Sequence, residues 1–164
     1  MQCDMESVYF NCILNNPTIT TVGNFAYTFK CDVTCDAPWA WEYPKSASYG
    51  PFDVEGTFTF NNISDDNYYM LPTFTVTLSS SEDEFQLLNQ TDDNKGCTFT
   101  GLSPKETLTI DSSRYLITSS TGLLRVGNMT GILPRLVPGL NKLQVIGSVD
   151  DIKIDYQNAR KVSG

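Results

Sequence analysis

The chain has 164 residues, with 19 acidic against 11 basic side chains, a formal charge of −8 and no histidine. That balance argues against nucleic acid, whose phosphates need clustered Lys and Arg, and equally against an anionic membrane surface. The length suits one ordinary domain, or one domain plus a fragment, and is enough for a real core. No segment has the apolar length to cross a bilayer as a helix. The opening residues Met1-Gln2-Cys3-Asp4-Met5-Glu6 lack a basic start and an apolar stretch, so they do not read as a signal peptide. Cytoplasmic synthesis and mostly reduced cysteines are the expectation.

Taken in order, the pattern is that of strands. After Val8–Leu14 comes the clearest run, with Phe25, Tyr27, Phe29, Cys31, Val33 and Cys35 on one face and Thr28, Lys30, Asp32 and Thr34 on the other. A dozen residues at a strand rise of about 3.3 Å span about 40 Å, longer than a usual strand, which implies a bend or a ribbon shared with a partner. Val8–Cys35 provides two or three strands, too few to bury a core alone. The stretch Asp36-Ala37-Pro38-Trp39-Ala40-Trp41-Glu42-Tyr43-Pro44, closed by Gly50-Pro51, then marks a boundary.

Beyond it, Thr57–Phe60, Thr73–Leu78 and Thr107–Ile110 alternate apolar residues with threonine or another polar side chain. Glu84–Leu88, Cys97–Thr100, Tyr115–Thr118 and Leu143–Ile146 read as further strands. Asn61-Asn62, Ser79–Ser81, Asp92–Gly96, Ser119–Gly122 and Gly127-Asn128 read as turns between them. No segment reads as a helix. Short strands at this spacing predict an all-β fold, an antiparallel β-sandwich preceded by a small strand-rich unit. In Ile132–Leu143, Pro134 and Pro138 fix φ, Pro138-Gly139 turns the chain, and Asn141 leads into the strand Lys142–Gly147. With the alternating Asp151–Tyr156, this predicts a terminal β-hairpin.

No constellation carries chemistry. Cys31 and Cys35 lie four residues apart on one strand, about 13 Å between Cα atoms, too far for a disulfide or a shared zinc. A bridge from Cys3 or Cys12 to another cysteine stays open. Without histidine there is no Ser-His-Asp or Cys-His nucleophile. The carboxylate clusters at Asp65-Asp66, Glu82-Asp83-Glu84, Asp92-Asp93 and Asp150-Asp151 read as solvated turns rather than a glycosidase pair or a calcium loop. No catalytic residue, cofactor or metal site is expected, and the chain does not read as an enzyme. Trp39, Trp41 and Tyr43 could stack on a sugar, fill a junction between domains, or contact a neighbouring subunit.

Several segments together resemble the distal tail proteins of siphophages and prophages that infect Gram-positive bacteria. They are Val8–Leu14 with Val22-Gly23-Asn24 and the long strand, then Cys35-Asp36-Ala37-Pro38-Trp39-Ala40-Trp41, and finally the Pro134–Lys142 turn. The strand end Leu108-Thr109-Ile110-Asp111-Ser112 adds a weaker fourth. The resemblance implies that residues 1–45 are the end of a ring-forming domain whose opening strands are absent, and that 46–164 are a galectin-like, jelly-roll-type sandwich. It implies a structural protein of the virion, made in the host cytoplasm, in the tail tip or baseplate. There it would link the tail tube to the tail-tip hub, with a receptor-binding protein as a further partner, and form a hexamer where the ring domain is whole. Asp36, Pro38, Trp39, Trp41 and Tyr43 become interdomain or interface candidates, and Pro134, Pro138, Gly139 and Asn141 shape the final turn. The alternative is a carbohydrate-binding sandwich that attaches to cell-wall saccharide.

Overall fold

A computed structural model describes residues 7–22, 26–79 and 84–161. Fifteen strands are present among them. In chain order they are β1 (Val8–Tyr9), β2 (Cys12–Val22), β3 (Ala26–Cys35), β4 (Ala40–Glu42), β5 (Lys45–Tyr49), β6 (Glu55–Asn62), β7 (Thr73–Leu78) and β8 (Glu84–Asn89). Then follow β9 (Lys95–Thr100), β10 (Thr107–Asp111), β11 (Leu116–Ser119), β12 (Met129–Gly131), β13 (Gly139–Ile146), β14 (Val149–Tyr156) and β15 (Ala159–Arg160). The helical pieces among these residues are two 3-10 turns, Gln90–Asp92 and Val126–Asn128. The expectations placed on Cys3, Gly23–Phe25, Ser80–Ser81 and Glu82-Asp83 lie outside the described residues.

The chain forms two compact units. One spans Pro44–Asn158; the other holds the chain up to Tyr43 and takes back Ala159–Arg160, which pairs with β4. The expected division at 45/46 therefore differs at its far end, where the chain returns to the first unit after the sandwich is complete.

The larger unit is an antiparallel sandwich of two five-stranded sheets, in the orders β11-β10-β7-β14-β5 and β12-β9-β8-β13-β6. Period-2 alternation builds its core. In β7, Phe74, Val76 and Leu78 point inwards and the threonines between them outwards. Phe58 and Phe60, Phe85 and Leu87, Leu108 and Ile110, and Leu143 and Val145 repeat the scheme on their own strands. Burying a side chain of this size is worth about 1.5–3 kcal/mol. Val149 and Ile152 are three residues apart yet both buried, because a bulge between Val149 and Asp151 resets the alternation in β14.

One expectation is corrected here. The last two long strands are not a hairpin: β13 pairs with β6 and β8, whereas β14 pairs with β5 and β7 in the opposite sheet. The link between them crosses the sandwich at Gly147, whose φ is +111° and where a Cβ would sit 2.6 Å from the Glu84 carbonyl oxygen. Glycine meets both conditions. Alternation alone cannot tell a hairpin from such an arch, since both put successive strands next to each other in sequence.

The smaller unit contains a three-stranded sheet, β1-β4-β15, and the two-stranded ribbon β2–β3. In the ribbon the register shifts between Asn15 and Thr18, which puts an extra residue on β2, whereas the bend or shared ribbon was expected of the Phe25–Cys35 strand. Its apolar face is open: Leu14, Ile19, Phe29 and Val33 are each more than half exposed. Two strands alone cannot bury such a face.

The sandwich also buries an ion pair. Arg125 donates from Nε to Glu106 Oε1 (2.7 Å) and from Nη2 to Oε2 (2.6 Å), and from Nη1 to the Gly101 carbonyl. Ser119 Oγ and the Ser103 amide also donate to the carboxylate. Burial alone would raise Glu106, but these hydrogen bonds outweigh it and hold its carboxyl below the ordinary value. A lowered pKa in the folded state stabilises the fold above the unfolded-state value, and that stabilisation is lost as pH falls through the folded value. Glu106→Gln should cost about 3–5 kcal/mol in urea unfolding at pH 7, since it strands the buried Arg125 charge. The wild type should lose more stability than this variant as pH falls into the acid range; equal losses would show that the pair is not the acid-sensitive element.

Candidate functional site

The segment from Ile132 to Pro138 is an irregular stretch leading into β13, and its backbone is held almost group by group. Ser112 Oγ donates to the Pro134 carbonyl (2.6 Å) and Asn89 Nδ2 to that of Arg135 (3.0 Å). Leu136 and Met70 exchange both backbone bonds at 2.9 Å, and Asn62 Nδ2 reaches the carbonyls of Leu136 and Val137. Asn141 closes the loop on itself. Its Oδ1 accepts from the Val137 amide (2.8 Å), and its Nδ2 donates to Val137 (2.8 Å) and Gly139 (2.9 Å). Asn89 Nδ2 donates to Asn141 Oδ1 as well (2.8 Å), which joins the two amides.

Asn62, Asn89 and Asn141 are all buried, and each stands on the inward face of its strand. They follow Phe58-x-Phe60, follow Phe85-x-Leu87 and precede Leu143-x-Val145, so the polar amides continue three apolar stripes. An irregular chain cannot be buried unless its peptide groups find partners. The asparagines provide them. Pro134 is buried with Leu136, while Pro138 and Gly139 turn at the surface, Gly139 with φ of +85°. The structure thus brings Pro134, Pro138, Gly139 and Asn141 together as one clamped loop, not as a hairpin turn.

Arg135 leaves this loop sideways. Its guanidinium meets Asp92 at 2.7 Å and lies 3.8 Å over the Tyr69 ring. The hydrogen bond from Arg135, opposed by burial, holds the Asp92 carboxyl below its ordinary value. Asp92 was read as a solvated turn residue; it is buried, because it is the counter-charge of Arg135. Beside this pair is a groove of about 440 Å³ lined by Tyr68, Tyr69, Leu71, Tyr115, Ile132 and Arg135. Tyr115 is 78% exposed, with φ of +54° in the β10–β11 turn. The turn is held by Asp111, whose Oδ1 accepts from the Ser113 and Arg114 amides. Exposed tyrosine faces around one cation suit a planar, hydroxyl-bearing or peptide partner.

The other expected residues lie in the smaller unit. Asp36 and Pro38 are exposed, and the Asp36 amide bonds to the Asn11 carbonyl (2.9 Å). Trp39 and Trp41 are half-buried with their indole nitrogens enclosed. Trp41 pairs with Tyr9 and Ala159 across the three-stranded sheet, and Tyr43, 59% exposed, has its ring 5.5 Å from that of Tyr9. Sequence reasoning missed Asn62, Asn89, Ser112, Arg135 and the groove tyrosines. The asparagines had a signal, an amide at the end of an apolar stripe; the tyrosines had none, because separate loops bring them together.

A model of the family described as a phage tail C-terminal domain matches residues 39–156. Among solved structures the chain is similar to the SPP1 Dit protein, whose crystal structure is described as a paradigm of the hub adsorption apparatus in phages that infect Gram-positive bacteria. The TM-score is 0.68 at 11% sequence identity, covering 94% of this chain and 62% of that one. This chain therefore spans less than two thirds of that protein's length. The likeness establishes the galectin-like sandwich as the fold. No curated protein sequence matches.

Asn141→Ala should destabilise the sandwich by about 3 kcal/mol or more in urea unfolding, because it leaves several buried groups without partners at about 1–3 kcal/mol each. The exposed neighbour Leu140→Ala should change stability by less than about 0.5 kcal/mol. Equal effects would mean that the amide does not hold the loop.

Proposed function

This chain belongs to the phage tail C-terminal domain family, and on that premise we propose that it is a structural, non-enzymatic component of the tail tip. In this reading it is a distal tail or baseplate protein. It links the tail tube to the tail-tip hub and presents its sandwich outwards. The observation that carries the proposal is the open apolar face of the β2–β3 ribbon. Leu14, Ile19, Phe29 and Val33 lie side by side and exposed, on strands too few to form a core. Such a face marks an interaction surface, and in this reading its partner is a neighbouring subunit of the same ring, the proposed hexamer. Asp36, Pro38, Trp39, Trp41 and Tyr43, at the end of the same unit, are offered as further contacts with tail proteins. The hub role described for SPP1 Dit supports this reading through the shared fold.

Antibodies against the sandwich should label one end of the virion tail. A Leu14→Asp/Val33→Asp variant should fail to enter virions while its sandwich melts at the wild-type temperature. Label along the whole tube, or normal incorporation of the double variant, would contradict the proposal.

The tyrosine-lined groove favours a second reading, attachment to cell-wall saccharide. Its aromatic platform would be Tyr69 and Tyr115 rather than Trp39 and Trp41. Titration with wall polysaccharide should then give saturable binding that Tyr115→Ala weakens at least tenfold, about 1.4 kcal/mol. No binding, or binding indifferent to Tyr115→Ala, would dismiss it.

A further inference from the structure

At the open end of the β2–β3 ribbon, Cys12 and Cys35 are direct cross-strand partners. The Asp36 amide donates to the Asn11 carbonyl, one residue outside that pair. In an antiparallel ladder a bond flanking a pair in this way marks it as non-hydrogen-bonded, the type whose Cα atoms approach to about 4.5 Å. That is within the range a disulfide spans, about 4.4–6.8 Å. The side chains already face each other, with sulfur atoms 2.9 Å apart, both residues exposed and the thiols free.

We propose that Cys12 and Cys35 are a redox couple that closes the base of the ribbon with a disulfide. The oxidant is a low-molecular-weight disulfide such as oxidised glutathione. One cysteine thiolate attacks it, forming a mixed disulfide and expelling one glutathione thiolate. The second cysteine, as thiolate, then attacks the protein-side sulfur and expels the second glutathione. Two electrons pass from the two cysteine sulfurs to the glutathione disulfide. The two cysteine protons end on the two released thiols, so the exchange balances.

Among the described cysteines the other two are poorly placed to compete. Cys31 is four residues from Cys35 along β3, about 13 Å in extended chain. Cys97 is buried in the sandwich core, and burial pushes its thiol up to about 12. The hydrogen bond with Cys35 raises the Cys12 thiol, so little thiolate is present at neutral pH and closure quickens as pH rises. The couple rests on the ribbon geometry alone. Only its occasion, passage from a reducing cytoplasm to the outside in a finished tail, rests on the tail reading. A bond here would hold the ends of the strands whose apolar face awaits a neighbour, stiffening the ribbon after assembly.

The test is to expose the full chain at pH 8 to oxidised glutathione, block the remaining thiols, digest it and identify linked peptides by mass spectrometry. The expected result is an intrachain Cys12–Cys35 link that dithiothreitol removes. Amide exchange across β2 and β3 should slow about tenfold or more in the oxidised form. Cys12→Ser and Cys35→Ser should each accumulate a lasting glutathione adduct on the remaining partner, which the wild type resolves. The proposal is overturned if both thiols stay free, if the link joins Cys3, Cys31, Cys97 or a second chain, or if ribbon exchange is unchanged by oxidation. These outcomes are independent of whether the chain is found in a tail.

Discussion

Three side-chain amides that point into the sandwich hold an irregular piece of backbone inside it, and the architecture around it depends on them. A loop that passes through a protein interior normally leaves peptide groups stranded at a cost of about 1–3 kcal/mol each. Here Asn62, Asn89 and Asn141, with Ser112, bond the carbonyls of Pro134, Arg135, Leu136, Val137 and Gly139. Leu136 can therefore be fully buried and bridge to Met70. Arg135 is then aimed outwards, onto Asp92 and Tyr69. Groove, ion pair and loop are consequences of one hydrogen-bonding arrangement.

That dependence explains what could and could not be read from the sequence. The strands of the sandwich were legible because period-2 alternation is a local property. Thr73–Leu78 is found where it was expected, and Thr107–Ile110 and Glu84–Leu88 extend by one residue each. The Pro134–Asn141 segment stood out because two prolines fix φ and a glycine permits a turn without reference to the rest of the chain. Its partners were not legible, because Asn62 and Asn89 come from strands 74 and 46 residues before the carbonyls they bond. Asn61-Asn62 and Asp92 read as solvent-facing turn residues for the same reason: only the assembled fold reveals that a loop arrives to use them. The terminal hairpin failed on topology. Alternation gave two good strands but had no means of assigning them to different sheets.

The two units differ in how complete they are. In the sandwich the apolar stripes are buried, the amides of Asn62, Asn89 and Asn141 are paired, and the Glu106–Arg125 pair has partners on both sides. The ribbon differs, since its alternating apolar face is as regular as that of any core strand and is left in solvent. The phage tail family points to other tail proteins as this chain's partners.

Amide hydrogen exchange at Leu136 and Val137 tests this account most directly. Both amides sit in an irregular loop, and one of them is bonded only to a side chain, Asn141 Oδ1. If the asparagines hold the segment as described, both should exchange as slowly as core amides such as those of Phe74 and Val145. Exchange at the rate of an open surface loop would contradict the claim that buried amides organise this part of the protein.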